Sequence, residues 1–480
     1  MISPIYILLF IGFYFCMLLL ISWITSRNAD EASYFLGNKQ SKWYLVAFGM
    51  IGDSLSGVTF ISVPGLVAND KFSYLQVVLG YVVGYFIIGK ILLPLFYERN
   101  LTSIYTYLKT RFGVYSERTG SFYFLISRLL GAGARLYLAI NVLQLFVFDG
   151  LHIPFALSAS IVIILILLYT IRGGIKTLVW TDVFQSSFLL LAVIFSIVAI
   201  GNQLNLSFGG IVQAVVDSPN TQIFYWDWMP KNFFFKQFIG GALIALTMTG
   251  LDQNMMQKNL SCRSLKEAQT NIYTFSFIQL GVNVLFLSLG ALLFHFATVQ
   301  NITIPAKTDQ LFPMLALQHL GWFASIVFIV GLTAATFNSA DSVLTTLTTS
   351  FYFDFLHKDE QSKKSRQIIH LSFAALLLVV ILGFKAVNSG TIIGTILFLA
   401  NITYGPLLGL FMFGILLKQK IHDKLVPIVC IIVPVLCYLL DAYCKAHPEG
   451  YQIGNELLLI NGLLTVTGLF LIANRQTESQ

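Results

Sequence analysis

Charge is what this chain has least of: Asp, Glu, Lys and Arg make up only 11% of its 480 residues, where a soluble domain carries about 25%. Long polar stretches are missing too. Apolar runs of membrane-spanning length recur throughout, about thirteen of them, and leave no room for a separate soluble domain. The first run, IYILLFIGFYFCMLLLISWIT, has no basic flank before it and no A-x-A site after it, so it reads as a retained helix, not a signal peptide. Cysteine is sparse. Of Cys16, Cys262, Cys430, Cys437 and Cys444, the last three recur every seven residues on one helix face, as small packing residues do, which argues against a disulfide framework. The seven histidines are scattered, and no P-loop, Ser/His/Asp or metalloprotease pattern is present. Nothing here suggests an enzyme or a transition-metal site.

The net charge of +7 is explained by position and gives no support for a nucleic-acid partner. With alternate loops assigned to opposite sides, about twenty Lys and Arg fall on one side, Arg27, Arg118, Lys258 and Lys424 among them, and about six on the other. That imbalance places the N-terminus outside, the C-terminus in the cytoplasm and the chain in the cell membrane, with the lipid bilayer as its partner.

What is present is more specific. Two apolar segments, GMIGDSLSGVTFISVPG at 49–65 and GGALIALTMTGLDQNMMQ at 240–257, are interrupted by glycine and polar residues near their middles. A spanning helix can unwind at mid-depth only where it lines protein or a water cavity, because unsatisfied backbone groups are costly in lipid. Paired interruptions of this kind are the pointer to a substrate and ion site in transporters built from inverted repeats. The sequence therefore reads as an all-α polytopic membrane protein, one transport domain over 1–480, with about thirteen transmembrane helices in a five-plus-five inverted repeat. The expected repeats are 43–201 and 236–417, with one extra helix at 3–25 and two more at 424–473.

Three groups of residues carry chemistry. Unwinding at 52–57 would expose the carbonyls of Gly52 and Leu55, oxygen ligands of the kind a small hard cation prefers. A glycine-packed helix crossing is the structural alternative. Ala335, Asn338, Ser339, Asp341, Ser342 and Thr345 form one polar strip on a helix, which must face a cavity or a partner. Helix-to-helix hydrogen bonding would account for the hydroxyls but does not require Asp341, since a mid-membrane carboxylate has to be paired, protonated or ion-bound. Arg128 and Arg135, two turns apart, are candidates for binding an acid or for salt bridges to Asp53 or Asp252. Ser56, Thr59, Gln76, Asp252, Gln253 and Tyr404 are further candidates for substrate contact.

The third broken pattern, IRGGIKTLVWTDVFQ at 171–185, resembles the sodium:solute symporter family when taken with SVPG at 62–65, the Asn-Ser-Ala-Asp-Ser strip at 338–342, DQNMMQKNLSCRSLKEAQ at 252–269 and TYLKTRFG at 106–113. The resemblance implies a LeuT-like fold and Na+ as the coupling ion. It also implies a common sodium site on backbone oxygens of Gly52, Leu55 and Ala335 with the side chains of Asn338 and Ser339, where Asn338 replaces the family's usual hydroxyl. A second sodium site maps to Asp182, Asp341 and Ser342, with a salt bridge or a shared proton as the alternative. An arginine near position 135 is found in members that carry carboxylates. The expected function is sodium-coupled symport of a small polar solute, a carboxylate as the favoured class, by alternating access. The rivals are a neutral sugar or amino acid as cargo, proton coupling through Asp53, Asp182 or Asp341, and a channel or sensor of the same fold. The sequence carries no sign of oligomeric state.

Overall fold

A computed structural model describes residues 4–27, 35, 37–356, 363–387, 392–447 and 449–473. Among these the architecture is helical, and β-pairing is limited to two isolated bridges, Ser41 with Cys262 and Ile421 with Ala473. A helix satisfies its own backbone groups, which hydrocarbon cannot do for it. Each of the apolar runs falls on a helix. Among the described residues nine helices are long and apolar enough to cross a membrane, two further spans are bent pairs, and Phe155–Ile171 and Leu457–Leu471 are shorter apolar helices.

The bent pairs are the two interrupted segments. Trp43–Ser54 meets Gly57–Asp70 at 61°, and Phe234–Gly250 meets Gln253–Leu260 at 64°. The residues at 171–177, expected to be a connection between helices 153–170 and 177–201, contain no loop: Phe155–Gln203 turns at Gly174 alone, whose φ of 55° and ψ of −161° suit glycine.

Gly321–Ser350 is the enclosed helix of the assembly, with 82% of its spanning window buried, and it packs most extensively on Phe155–Gln203. Its hydroxyls explain how so polar a helix can be buried. Thr333, Thr336, Thr345, Thr346, Thr348 and Thr349 each donate to the carbonyl four residues back. Thr345, the one of these in the expected strip, is thus satisfied within its own helix and not by a neighbouring one.

Close backbone approach seats the second bent span. A Cβ on Gly241 would lie 2.1 Å from the carbonyl oxygen of Val77, and one on Gly80 would lie 2.0 Å from that of Phe238, so only glycine lets the Phe234–Ala245 and Tyr74–Ile87 helices touch. At the head of the same span, Lys236 donates to the carbonyls of Met229 at 3.0 Å, Pro230 at 3.2 Å and Gln452 at 2.9 Å, and sits 3.5 Å over the ring of Tyr451. The connection it holds carries Trp226 and Trp228, both exposed, as aromatic residues at a membrane interface are.

Candidate functional site: a cation nest beside a cationic cavity

The first helix break lies three residues later than Gly52. Gly52 is still helical, and the chain leaves the helix at Leu55 (φ −96°, ψ 74°) and restarts after Ser56 (φ −68°, ψ 172°). Carbonyls of the last helical turn lose their intrahelical donors there, which frees those of Gly52 and its successors. Gly52 donates its N–H to Ser186 Oγ at 3.0 Å and faces Asn338 so closely that a Cβ would sit 2.3 Å from Asn338 Nδ2. Asn338 is fully buried, yet neither its Oδ1 nor its Nδ2 has a hydrogen-bond partner. Both amide atoms of Gln185 and one oxygen each of Asp53 and Asp182 are likewise buried and unpartnered. Leaving such groups unmade costs about 1–3 kcal/mol apiece, so this concentration of oxygens beside a helix break fits a small hard cation. Ala335 is buried one turn before Asn338 on the same helix. Ser339, expected beside it, has a side chain outside the described residues.

The expected second sodium site is built differently. Lys258, which the loop assignment places among cytoplasmic charges, is only 1% exposed. Its ammonium donates to Asp53 Oδ2, to Asp182 Oδ2 at 2.5 Å and to Ser342 Oγ at 2.9 Å. The loop assignment fails because the chain bends back into the protein after Asp252, so Lys258 ends up on the short helix Gln253–Leu260 with Asp53 as its target. Asp341 is turned elsewhere: it accepts the Tyr169 hydroxyl at 2.8 Å and the Ser342 N–H at 2.5 Å.

The second helix break is closed by the protein itself. Asp252 caps the following helix, its Oδ1 accepting from the N–H groups of Asn254 at 3.0 Å and Met255 at 3.2 Å. Its Oδ2 accepts from Arg128 Nε and from the Tyr404 hydroxyl at 2.7 Å. Of the salt bridges weighed for the two arginines, the Arg128–Asp252 pair forms. Asp252 and Tyr404 are therefore engaged with Arg128, not open to a solute.

Between the two breaks lies a cavity of about 90 Å³, lined among others by Asp53, Ser56, Thr59, Tyr74, Arg128 and Arg135. Ser56, Thr59 and Arg135 are thus brought together as the sequence suggests. Among the described residues Arg135 has no ion pair and no hydrogen bond, and Asp53 is the carboxylate that shares its cavity. Gln279, missed in the sequence, also lines it and donates to Ser54 Oγ at the first break at 2.8 Å. Gln76 and Gln253 lie outside this lining. Gln76 ties Asn232 and Tyr225, and Gln253 bonds the Ile104 N–H at 3.0 Å and the Thr102 carbonyl at 2.7 Å. A second cavity of about 230 Å³, beside Lys231 and Asn232, shares Tyr74 with the first.

Known proteins resemble this arrangement. The sequence profile of the sodium:solute symporter family matches residues 34–422. The sodium/sialic acid symporter NanT of Aliivibrio fischeri is 25% identical over 92% of this chain and 88% of its own length. SiaT of Proteus mirabilis, also a sodium/sialic acid symporter, is 25% identical over 95% and 93%. Mouse sodium-coupled monocarboxylate transporter 1 is 27% identical over 80% of this chain, which spans only 64% of that protein. A solved sodium-coupled sialic acid symporter in a substrate-bound outward-open state superposes with a TM-score of 0.82 over 98% of this chain and 99% of its own, at 18% identity, a likeness of fold. The chain belongs to the sodium:solute symporter family, whose members are sodium-coupled carriers and not enzymes.

Proposed function

We propose that this protein couples the inward movement of Na+ to the uptake of a small carboxylated solute by alternating access. The observation that carries the cargo class is Arg135. A guanidinium in a membrane cavity with no ion pair or hydrogen bond of its own favours an anion, and its planar fork suits a carboxylate. Two groups of relatives point the same way, since sialic acids and monocarboxylates are both acids. The sodium ion sits on the carbonyls of Gly52, Leu55 and Ala335 with the side chains of Asn338 and Ser339, and the solute meets Ser56, Thr59 and Arg135. The two bent spans belong to inverted halves, 43–201 and 236–417, of one transport unit, with the N-terminus outside and the C-terminus cytoplasmic. A tenfold sodium gradient supplies roughly 1.4 kcal/mol per ion. A monoanion carried with one Na+ moves no net charge, so the membrane potential adds nothing and the solute is concentrated about tenfold; a second Na+ would add about 1.4 plus 2.3 kcal/mol at about 100 mV.

Uptake of radiolabelled N-acetylneuraminate, pyruvate, glucose and proline into proteoliposomes, with and without a sodium gradient, tests the reading. The expected result is sodium-dependent uptake of an acid, reduced at least roughly thirtyfold in Arg135→Ala, the equivalent of about 2 kcal/mol. Uptake of glucose or proline at the wild-type rate in that variant would remove the carboxylate assignment. Uptake indifferent to sodium but driven by a pH gradient would replace the coupling ion.

A further inference from the structure

We infer that the ammonium of Lys258 is a tethered cation that occupies the position of a second sodium ion, so that this carrier binds a single Na+. The inference rests on the sodium-coupled reading above and deepens it. An ammonium and a sodium ion ask for the same surroundings: one positive charge enclosed by several oxygens within about 3 Å. Asp182 and Ser342 supply two of those oxygens, and both are spent on Lys258 at 2.5 Å and 2.9 Å. Asp53 accepts the third bond. A lysine has three N–H donors, and all three are used.

The geometry leaves no place for both cations. Lys258 is 1% exposed, and so are its partners Asp53 and Asp182. A sodium ion ligated by Asp182 Oδ2 and Ser342 Oγ would have to displace the ammonium from two of its three partners, leaving a buried charge held by Asp53 alone, which is costly in a membrane. The other carboxylate of the sequence-derived site, Asp341, is satisfied by Tyr169 and its own neighbour's N–H. Buried atoms without a hydrogen-bond partner remain at Asn338, at Gln185 and at the second oxygens of Asp53 and Asp182. One exchangeable cation next to one fixed cation accounts for both sets. The lysine also reaches from the second bent span to the first, across 205 residues of sequence, so the fixed charge joins the two breaks in a way a free ion does not.

The test counts sodium directly and needs no knowledge of the solute. Equilibrium binding of radioactive sodium to the purified full-length protein in detergent should give one ion per chain, with a Hill slope near 1. Lys258→Ala should open the Asp53–Asp182–Ser342 oxygens and raise the count to two, with a slope above 1. Lys258→Met, which keeps the aliphatic stem and most of the packing, serves if the alanine variant does not fold, and Lys258→Arg should keep the wild-type count. Two ions in the wild type, or one ion still in both uncharged variants, overturns the inference while leaving sodium coupling intact. No sodium bound by the wild type removes the sodium reading and this inference with it.

Discussion

The two bent spans have almost the same angle, 61° and 64°, yet they dispose of their broken backbone in opposite ways. At the second break the protein engages the carboxylate at its head from several sides: Asp252 caps the new helix, pairs with Arg128 and accepts from Tyr404. At the first break the chain stops at Leu55 and restarts at Gly57 with no side-chain cap, and the amide of Asn338, which faces Gly52, is unpartnered. A closed break holds structure together, and an open one holds something that comes and goes.

The contrast can be broken most forcefully at Asp252. Asp252→Ala removes a helix cap and strands Arg128 in the interior, and losing one member of a buried pair costs about 3–5 kcal/mol. A large drop in melting temperature, read by fluorescence-detected gel filtration, is the expected outcome, and a variant as heat-stable as wild type would show that the second break is not held in this way. Gln253→Ala should come next, at about 1–3 kcal/mol, because it orphans the Ile104 N–H. Its thermal stability should fall while its sodium activation constant stays put, and a shifted constant would bring Gln253 into the ion or solute path. The smallest effect on stability belongs to the open break. Asn338→Leu deletes a buried amide that bonds nothing in the folded chain, so stability without sodium should be unchanged or higher while the sodium concentration for half-maximal uptake rises tenfold or more, about 1.4 kcal/mol. Normal sodium activation in a stable Asn338→Leu protein would mean the open break holds no ion.

The sequence made the two interruptions legible because glycine, serine and aspartate in an apolar run leave a local signature that needs no knowledge of the fold. The strip from Ala335 to Thr345 was legible for the same reason, through its helical spacing. The division of labour within it was not. Whether a hydroxyl bonds its own helix, as Thr345 does, or an amide is left facing a glycine, as Asn338 is, depends on which helix crosses at that height. Lys258 was misread because a lysine just past a span looks like a loop charge, and only the bend at Leu251–Asp252 turns it inward. The physical clue was the count of intramembrane carboxylates: Asp53, Asp182, Asp252 and Asp341 outnumber Arg128 and Arg135, and a carboxylate in hydrocarbon demands a cation from somewhere.

Lys236 sets a mechanical condition on any movement at the second break. Three carbonyls, two before it in the chain and one from Gln452 near the final helix, grip its ammonium, and hydrogen bonds to a charged group are worth about 1.5–3 kcal/mol each. Rocking of the Phe234–Gly250 arm must either tear that grip or tow the 229–230 segment and the base of Leu457–Leu471 along with it. The last helices, remote from the ion and the cavity, are then cargo on a lever whose fulcrum is a single lysine.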